Sequence, residues 1–297
     1  MTEGGDEGPA DVFDLLGDET RLAILEVLAQ PRRENWQWQG LGFAELRRAV
    51  GERDAGNFSY HLDRLRGSFV VKDGEEYVLR NNGMELAGSL AAGAYAPPER
   101  ELEAETDVEC PYPDCERSLL AVYGESTFQL CCPAHGPFWA ASLPPAAVRE
   151  DPAALVEIAT LRTRQEFARA RAGVCPHCWG EMDATLPAEG VAVPESYGEE
   201  MPPDAVMVGF ECRRCGMELT TPPGLCVLDH PAVVSLYHEH GVDVRDRPLV
   251  EFPFIEVTAA TVEDGDSTRV RVDVPVDEDR LALWLDGEAT VVEYERG

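Results

Sequence analysis

Apolar residues recur at helical intervals through the first third of the chain. Across residues 11–29, Leu15, Leu16, Leu22, Leu25 and Leu28 hold helical spacing, and Asp18, directly after Gly17, stands where it caps a second helix. Residues 43–50, stopped by Gly51, predict a short helix. Residues 57–66 predict another, with Phe58, Leu62 and Leu65 at i, i+4 and i+7 facing a core and Gly67 as its stop. The opposite face then presents Asn57, Ser59, Tyr60, His61 and Arg64. Beyond it the period changes: residues 68–71 and 77–80 flank Asp73-Gly74, a strong turn dipeptide, and predict a hairpin.

Ala96-Pro97-Pro98-Glu99, with the acidic run up to Glu109, marks a boundary near residue 98. Asp151-Pro152 suits the N-cap and first turn of a long helix to about residue 172, with Leu155, Ile158 and Leu161 on one side. Residues 183–203 lack periodicity and predict an exposed insertion. A second capped helix, residues 231–240, ends at Gly241. Val270, Val272, Val274 and Val276 alternate with Arg271 and Asp273, and Asp286-Gly287 joins residues 281–285 to 290–294, the pattern of a half-buried antiparallel meander.

Three helices followed by a hairpin is the order of a winged helix-turn-helix, whose third helix enters the major groove while the hairpin touches the flanking backbone. Asn57, Ser59, Tyr60, His61 and Arg64 are groups able to read base edges or hold phosphates, and Lys72 and Arg80 on the hairpin suit phosphates. Charge alters this picture before supporting it. The 297 residues carry 56 acids against 25 bases, a net −31, and Lys72 is the single lysine. Such a surface stays soluble when salt screens charge within a few ångströms, as in a halophile, and it excludes a generally basic nucleic-acid binder. The acidity is uneven, however. Residues 1–100 hold 18 acids and 11 bases, a net of −7, which leaves −24 on the other 197. Residues 43–80 hold seven of each, a neutral island with the lone lysine near the hairpin tip.

The strings Leu16-Gly-Asp-Glu-Thr-Arg-Leu-Ala-Ile-Leu25 and Asp54-Ala-Gly-Asn-Phe-Ser-Tyr-His-Leu-Asp-Arg-Leu65, then Phe69-Val and Tyr77-Val-Leu, resemble the ArsR-like winged-helix regulators of haloarchaea. The resemblance covers residues 11 to about 95. It implies a transcription factor, often dimeric, whose recognition helix holds Tyr60 and His61. Metal-sensing members place paired cysteines in the helix corresponding to residues 43–50, and here that helix has none.

All nine cysteines lie between residues 110 and 226. No apolar run approaches the roughly 20 residues of a membrane helix, and the acidic, Gly-rich start is unlike a leader, so a cytoplasmic, reducing compartment is expected. There, paired cysteines are metal ligands rather than disulfides. Cys175-Pro-His-Cys178 and Cys212-Arg-Arg-Cys215 are two C-x2-C turns suited to one tetrahedral Zn²⁺. Cys110-x4-Cys115 and Cys132-Pro-Ala-His135 form a looser second set around a hairpin within residues 119–130. Cys131 could replace Cys132, but the Cys-Pro-x-His-Gly turn resembles the other knuckle and favours Cys132. The long helix between the two sets favours sequential pairing over a cross-brace, and four good ligands per site favour structure over catalysis. The deaminase motif, His-x-Glu followed by Pro-Cys-x-x-Cys, is absent. His177 reads as a solvated neighbour. His238 and His240 suit a helix C-terminus rather than a metal. Cys226 and the spare cysteine of the Cys131-Cys132 pair are sensor candidates, or small buried hydrophobes. Trp36 and Trp38 fall in a loop that they anchor, or present to a partner.

The expected class is α+β. Its parts are a disordered acidic start (1–10), a winged helix-turn-helix (11–97), a zinc-ribbon-like module (98–148), a connecting helix (149–173), a second zinc ribbon with an inserted loop (174–228) and a helix plus β-meander (229–297). With no nucleophile–base constellation, no phosphate-cradling loop and no carboxylate pair at a recognisable spacing, an enzyme is not expected. The leading expectation is a homodimeric regulator of transcription on double-stranded DNA, with two structural zinc ions. The alternatives are a basal transcription factor that contacts RNA polymerase and, from another class, a zinc-dependent enzyme.

Overall fold

Helix α1 (Pro9–Leu16) breaks at Gly17, and α2 (Glu19–Ala29) starts afresh because the Asp18 side chain accepts a hydrogen bond from Arg21 N at 3.1 Å. The structure is a computed structural model that describes residues 9–30, 33–34, 37–38, 40–95, 100–112, 114–187, 204–263 and 269–297. The acidic start at 1–8, Trp36 and residues 188–203 of the expected insertion lie outside the described residues. The chain divides into two compact units, Met1–Pro97 and Pro98–Gly297. Every sheet among the described residues is antiparallel, so the chain is α+β.

In the first unit, strands β1 (Arg33–Glu34) and β2 (Gln37–Trp38) pair, which puts Trp38 in a short ladder rather than a loop. Strand β3 (Leu41–Gly42) runs directly into α3 (Phe43–Val50), which Gly51 ends at φ 84°. Helix α4 (Ala55–Leu65) begins two residues before the expected start because Asp54 caps it, accepting from Gly56 N and Asn57 N. Strands β4 (Val70–Asp73) and β5 (Glu76–Leu79) form the hairpin, and β3 joins β5 to complete a sheet of order β3-β5-β4. Helix α5 (Asn81–Ala91) follows, with Gly83 so close to the chain entering β4 that a Cβ there would stand 2.5 Å from the Phe69 carbonyl oxygen. Ile24, Leu25, Leu46, Phe58, Leu62 and Leu65 fill the core, with the Phe43 ring edge-on to Phe58 at 5.2 Å.

The second unit opens with four strands in chain order, β6 (Leu102–Glu109), β7 (Ser118–Gly124), β8 (Thr127–Cys132) and β9 (Gly136–Ser142), a full meander where the sequence predicts only a hairpin. Helix α6 (Pro152–Arg171) is capped by Asp151, which accepts from Ala153 N at 3.1 Å. Its buried side chains are Leu155, Val156, Ala159, Thr160, Thr163 and Ala170. Leu161 is 55% exposed, against expectation. Six residues beyond Leu155, it lies about 120° around a 3.6-residue helix, off the stripe that Leu155 buries.

Strands β10 (Met182–Thr185), β11 (Val208–Cys212) and β12 (Glu218–Thr221) form a three-stranded sheet, so residues 183–185 belong to a strand and not to the insertion. Helices α7 (Pro223–Val227) and α8 (Pro231–Glu239) follow. The terminal meander is β13 (Ala260–Glu263), β14 (Arg269–Val276), β15 (Asp279–Leu285) and β16 (Val291–Arg296). Val270, Val272 and Val274 are buried against Leu281, Leu283 and Leu285, as the alternation requires. These share one core with Val208, Phe210, Val227, Leu236, Phe252 and Phe254. The regions expected as separate parts, 174–228 and 229–297, therefore fold together. Gly224 shows how closely: a side chain there would overlap the Phe254 carbonyl.

Candidate metal centres and nucleic-acid face

Strand β6 ends one residue before Cys110, whose N–H donates to the Arg117 carbonyl, and Cys115 N closes a turn on the Tyr112 carbonyl at 3.2 Å. Opposite, β8 ends at Cys132 and β9 starts at Gly136, φ 81°, so Cys132 to His135 forms the facing turn. Cys110 Sγ lies 3.3 Å from His135 Nδ1, and Cys115 Sγ lies 3.9 Å from Cys132 Sγ. All four ligand atoms fall within 4.8 Å of one another. Burial opposes ionisation of Cys132, but the amides of Ala134 and His135 and its side-chain hydrogen bonds outweigh it and pull the thiol down to about 6. Burial pushes the Cys110 thiol up to about 11. Tyr112, absent from the expected set, stacks on the His135 ring at 4.4 Å; its only sequence signal is its place inside the Cys110–Cys115 turn.

Alternation along β8 turns Cys131 the other way, its Sγ toward the Leu120 carbonyl at 3.7 Å, with its thiol pushed up chiefly by burial. Cys132 is thus the member of the pair in the cluster.

The second cluster joins Cys175, Cys178, Cys212 and Cys215, again within 4.8 Å. Cys175 Sγ and Cys215 Sγ are 3.8 Å apart, and Cys178 Sγ and Cys212 Sγ 3.5 Å. The amides of His177 and Cys178 point at Cys175 Sγ, and that of Arg214 at Cys212 Sγ, at 3.3 to 3.4 Å. The Cys215 amide, with help from that of Arg214, draws the Cys212 thiol down to about 6. A tetrahedral zinc with arms of about 2.3 Å has sulfur–sulfur edges of about 3.8 Å, the spacing both clusters display. Each set can hold a metal ion, such as zinc, and the amides aimed at sulfur suit thiolate ligands. His177 is exposed and outside the cluster. His240 sits between Asp277 and Asp279, at 2.8 and 3.1 Å, and its hydrogen bonds to Asp279 and then Asp277 raise its pKa. Cys226 is buried, its thiol pushed up to about 12 by burial, as befits a small hydrophobe.

On α4, Asn57, Tyr60 and Arg64 are exposed and Ser59 is half-buried; on the hairpin and just after it, Lys72 and Arg80 are exposed. Asn57 Nδ2 donates to Glu52 at 2.9 Å, and Lys72 Nζ lies 5.8 Å from the centre of the Tyr77 ring. His61 departs from the expected face. It is buried, with Nε2 3.2 Å from Asn57 Oδ1 and Nδ1 3.2 Å from Asp18 Oδ1. Three residues past Phe58, it is only about 60° from that core position around the helix, so it faces inward.

Among the described residues no helix is long and apolar enough to cross a membrane. No curated protein and no solved structure matches the chain. Residues 9–90 match a family described as Domain of unknown function (DUF7347). Residues 107–291, well over half of the chain, match one described as Domain of unknown function (DUF7351), and the protein belongs to that family.

Proposed function

We propose that the protein is a sequence-specific DNA-binding regulator of transcription, working as a homodimer in the cytoplasm, with two structural zinc ions. Residues 11–97 act as a winged helix-turn-helix: α4 enters the major groove, Tyr60, Asn57, Ser59 and Arg64 meet base edges and phosphates, and Lys72 and Arg80 hold the flanking backbone. The observation that carries this reading is that Tyr60, Asn57 and Arg64 stand exposed on one helix inside the charge-neutral segment of a protein of net −31. Phe13 and Tyr95, 75% and 68% exposed, are apolar surface that a second copy can cover. The zinc ions staple residues 98–228, where one set of three cysteines with a histidine and one set of four cysteines each supply four ligands and leave no position for a reacting water.

A footprinting search of the host genome in molar KCl tests the reading. Protection of discrete sites is expected. Absence of sequence preference, with RNA polymerase retained in a pull-down, replaces it by a basal transcription factor.

A further inference from the structure

Trp179, directly after the ligand Cys178, is 74% exposed and has φ 62°, the left-handed region that bulky side chains disfavour. In the sister knuckle the residue after Cys215 is Gly216, φ 68°, the residue that this conformation ordinarily selects. A strained, solvent-facing indole replaces the glycine that the turn geometry suits. Strain of this kind persists where the surroundings enforce it and is concentrated at functional sites.

The Arg169 guanidinium lies 3.9 Å from the centre of the Trp179 ring, and its Nη2 donates to the Cys175 carbonyl, so the arginine is fixed to the knuckle it stacks on. Arg169 Nε is buried with no partner among the described residues. A hollow of about 310 Å³ adjoins, lined by Arg162, Gln165, Glu166, Arg169 and Pro176 among others. Arg214 packs against Gly180, which follows Trp179: its Cβ is 2.8 Å from where a side chain on Gly180 would begin. Residues 160–182 hold four arginines and two acids, while residues 101–297 as a whole carry −24. Arg164 and Arg171 turn inward to the Val244 and Cys226 carbonyls and Arg162 pairs with Glu166 at 2.6 Å, which leaves the exposed Arg214 beside the Arg169–Trp179 stack at the knuckle.

We propose that this knuckle face binds single-stranded nucleic acid, an unpaired base stacking on the face of Trp179 that Arg169 leaves open while Arg214 holds an adjacent phosphate. A planar π-ligand suits the exposed indole, and the arginines select an anion and repel a cation that the ring alone would attract. In a duplex the base faces are already stacked, so an unpaired base is the form that offers its face. Stacking also persists at a salt concentration that abolishes most of the counterion-release gain. This site stands apart from the reading of α4, and its test uses no duplex.

The test is fluorescence anisotropy of a labelled oligothymidylate of about 12 nucleotides with the full-length metal-loaded protein in molar KCl, alongside an abasic strand of equal length. Wild type is expected to bind the oligothymidylate with quenching of tryptophan emission. Trp179→Gly is expected to weaken binding about tenfold or more, with unchanged metal content and a melting midpoint equal to or above that of wild type, because glycine relaxes the left-handed backbone. Trp179→Phe should retain most of the affinity. Equal binding of the abasic strand overturns the proposal, as does unchanged affinity in Trp179→Gly. Failure of wild type to bind either strand overturns it in favour of a protein partner for this face.

Discussion

His61 on α4 and Asp18 at the head of α2 meet side chain to side chain, Nδ1 to Oδ1 at 3.2 Å. One carboxylate thereby serves two helices, since the same oxygen caps α2 through Arg21 N. Asp18→Ala is expected to destabilise the first unit by about 1–2 kcal/mol through the lost cap. His61→Ala should likewise lower the melting temperature and yet leave the preferred DNA sequence unchanged. A shifted footprint in that variant contradicts the inward role.

Tyr60 and Lys72 separate groove contact from backbone charge. Tyr60→Ala is expected to weaken specific binding far more than Lys72→Ala, because molar salt removes most of what a phosphate-bound lysine contributes. Equal losses in a titrated gel shift would count against α4 as the reading element.

Metal stoichiometry distinguishes the paired cysteines. Native mass spectrometry is expected to find two zinc ions per chain, one after Cys132→Ser and still two after Cys131→Ser. Chelation should unfold both clusters. One exchangeable ion, lost without loss of fold, would instead point to catalysis.

Leu155 and Leu161 test the turn of α6 about its axis. Leu155→Ala should cost about 2–5 kcal/mol, and Leu161→Ala less than about 0.5 kcal/mol, in denaturant unfolding.

The His240 pKa is raised by Asp279 and Asp277, so the folded value lies above the unfolded one. The stabilisation is complete below about pH 6.5 and is lost as pH rises through the folded value. The difference in melting temperature between wild type and His240→Gln is therefore expected to be widest near about pH 6 and to shrink by about pH 9. A difference that grows with pH contradicts this.

Helix ends and the two cysteine clusters are legible in the sequence because single residues encode them: Asp18, Asp151 and Gly51 fix backbone conformation locally, and cysteine spacing is nearly a geometry in itself. Strand β6 is not. Glu103, Glu105, Asp107 and Glu109 alternate with Leu102, Ala104, Thr106 and Val108, and in so acidic a protein a strand's outer face looks like a linker. Helix α5 was hidden by Gly83 and Gly88, poor helix formers, the first selected by its approach to the Phe69 carbonyl. His61 is buried although its type suggests the polar face, because the polar type of a residue says nothing of the angle at which the helix presents it.

Adjacent cysteines on β8 face opposite sides of a strand, and that would make an ion held by the Cys132 cluster a proofreader of strand pairing. A chain that paired β8 one residue out of step would offer Cys131 in place of Cys132 and would turn Phe128 and Leu130 to water. Apolar burial and metal ligation reject the same mistake, so a misaligned sheet would be penalised twice, once by its core and once by its ion.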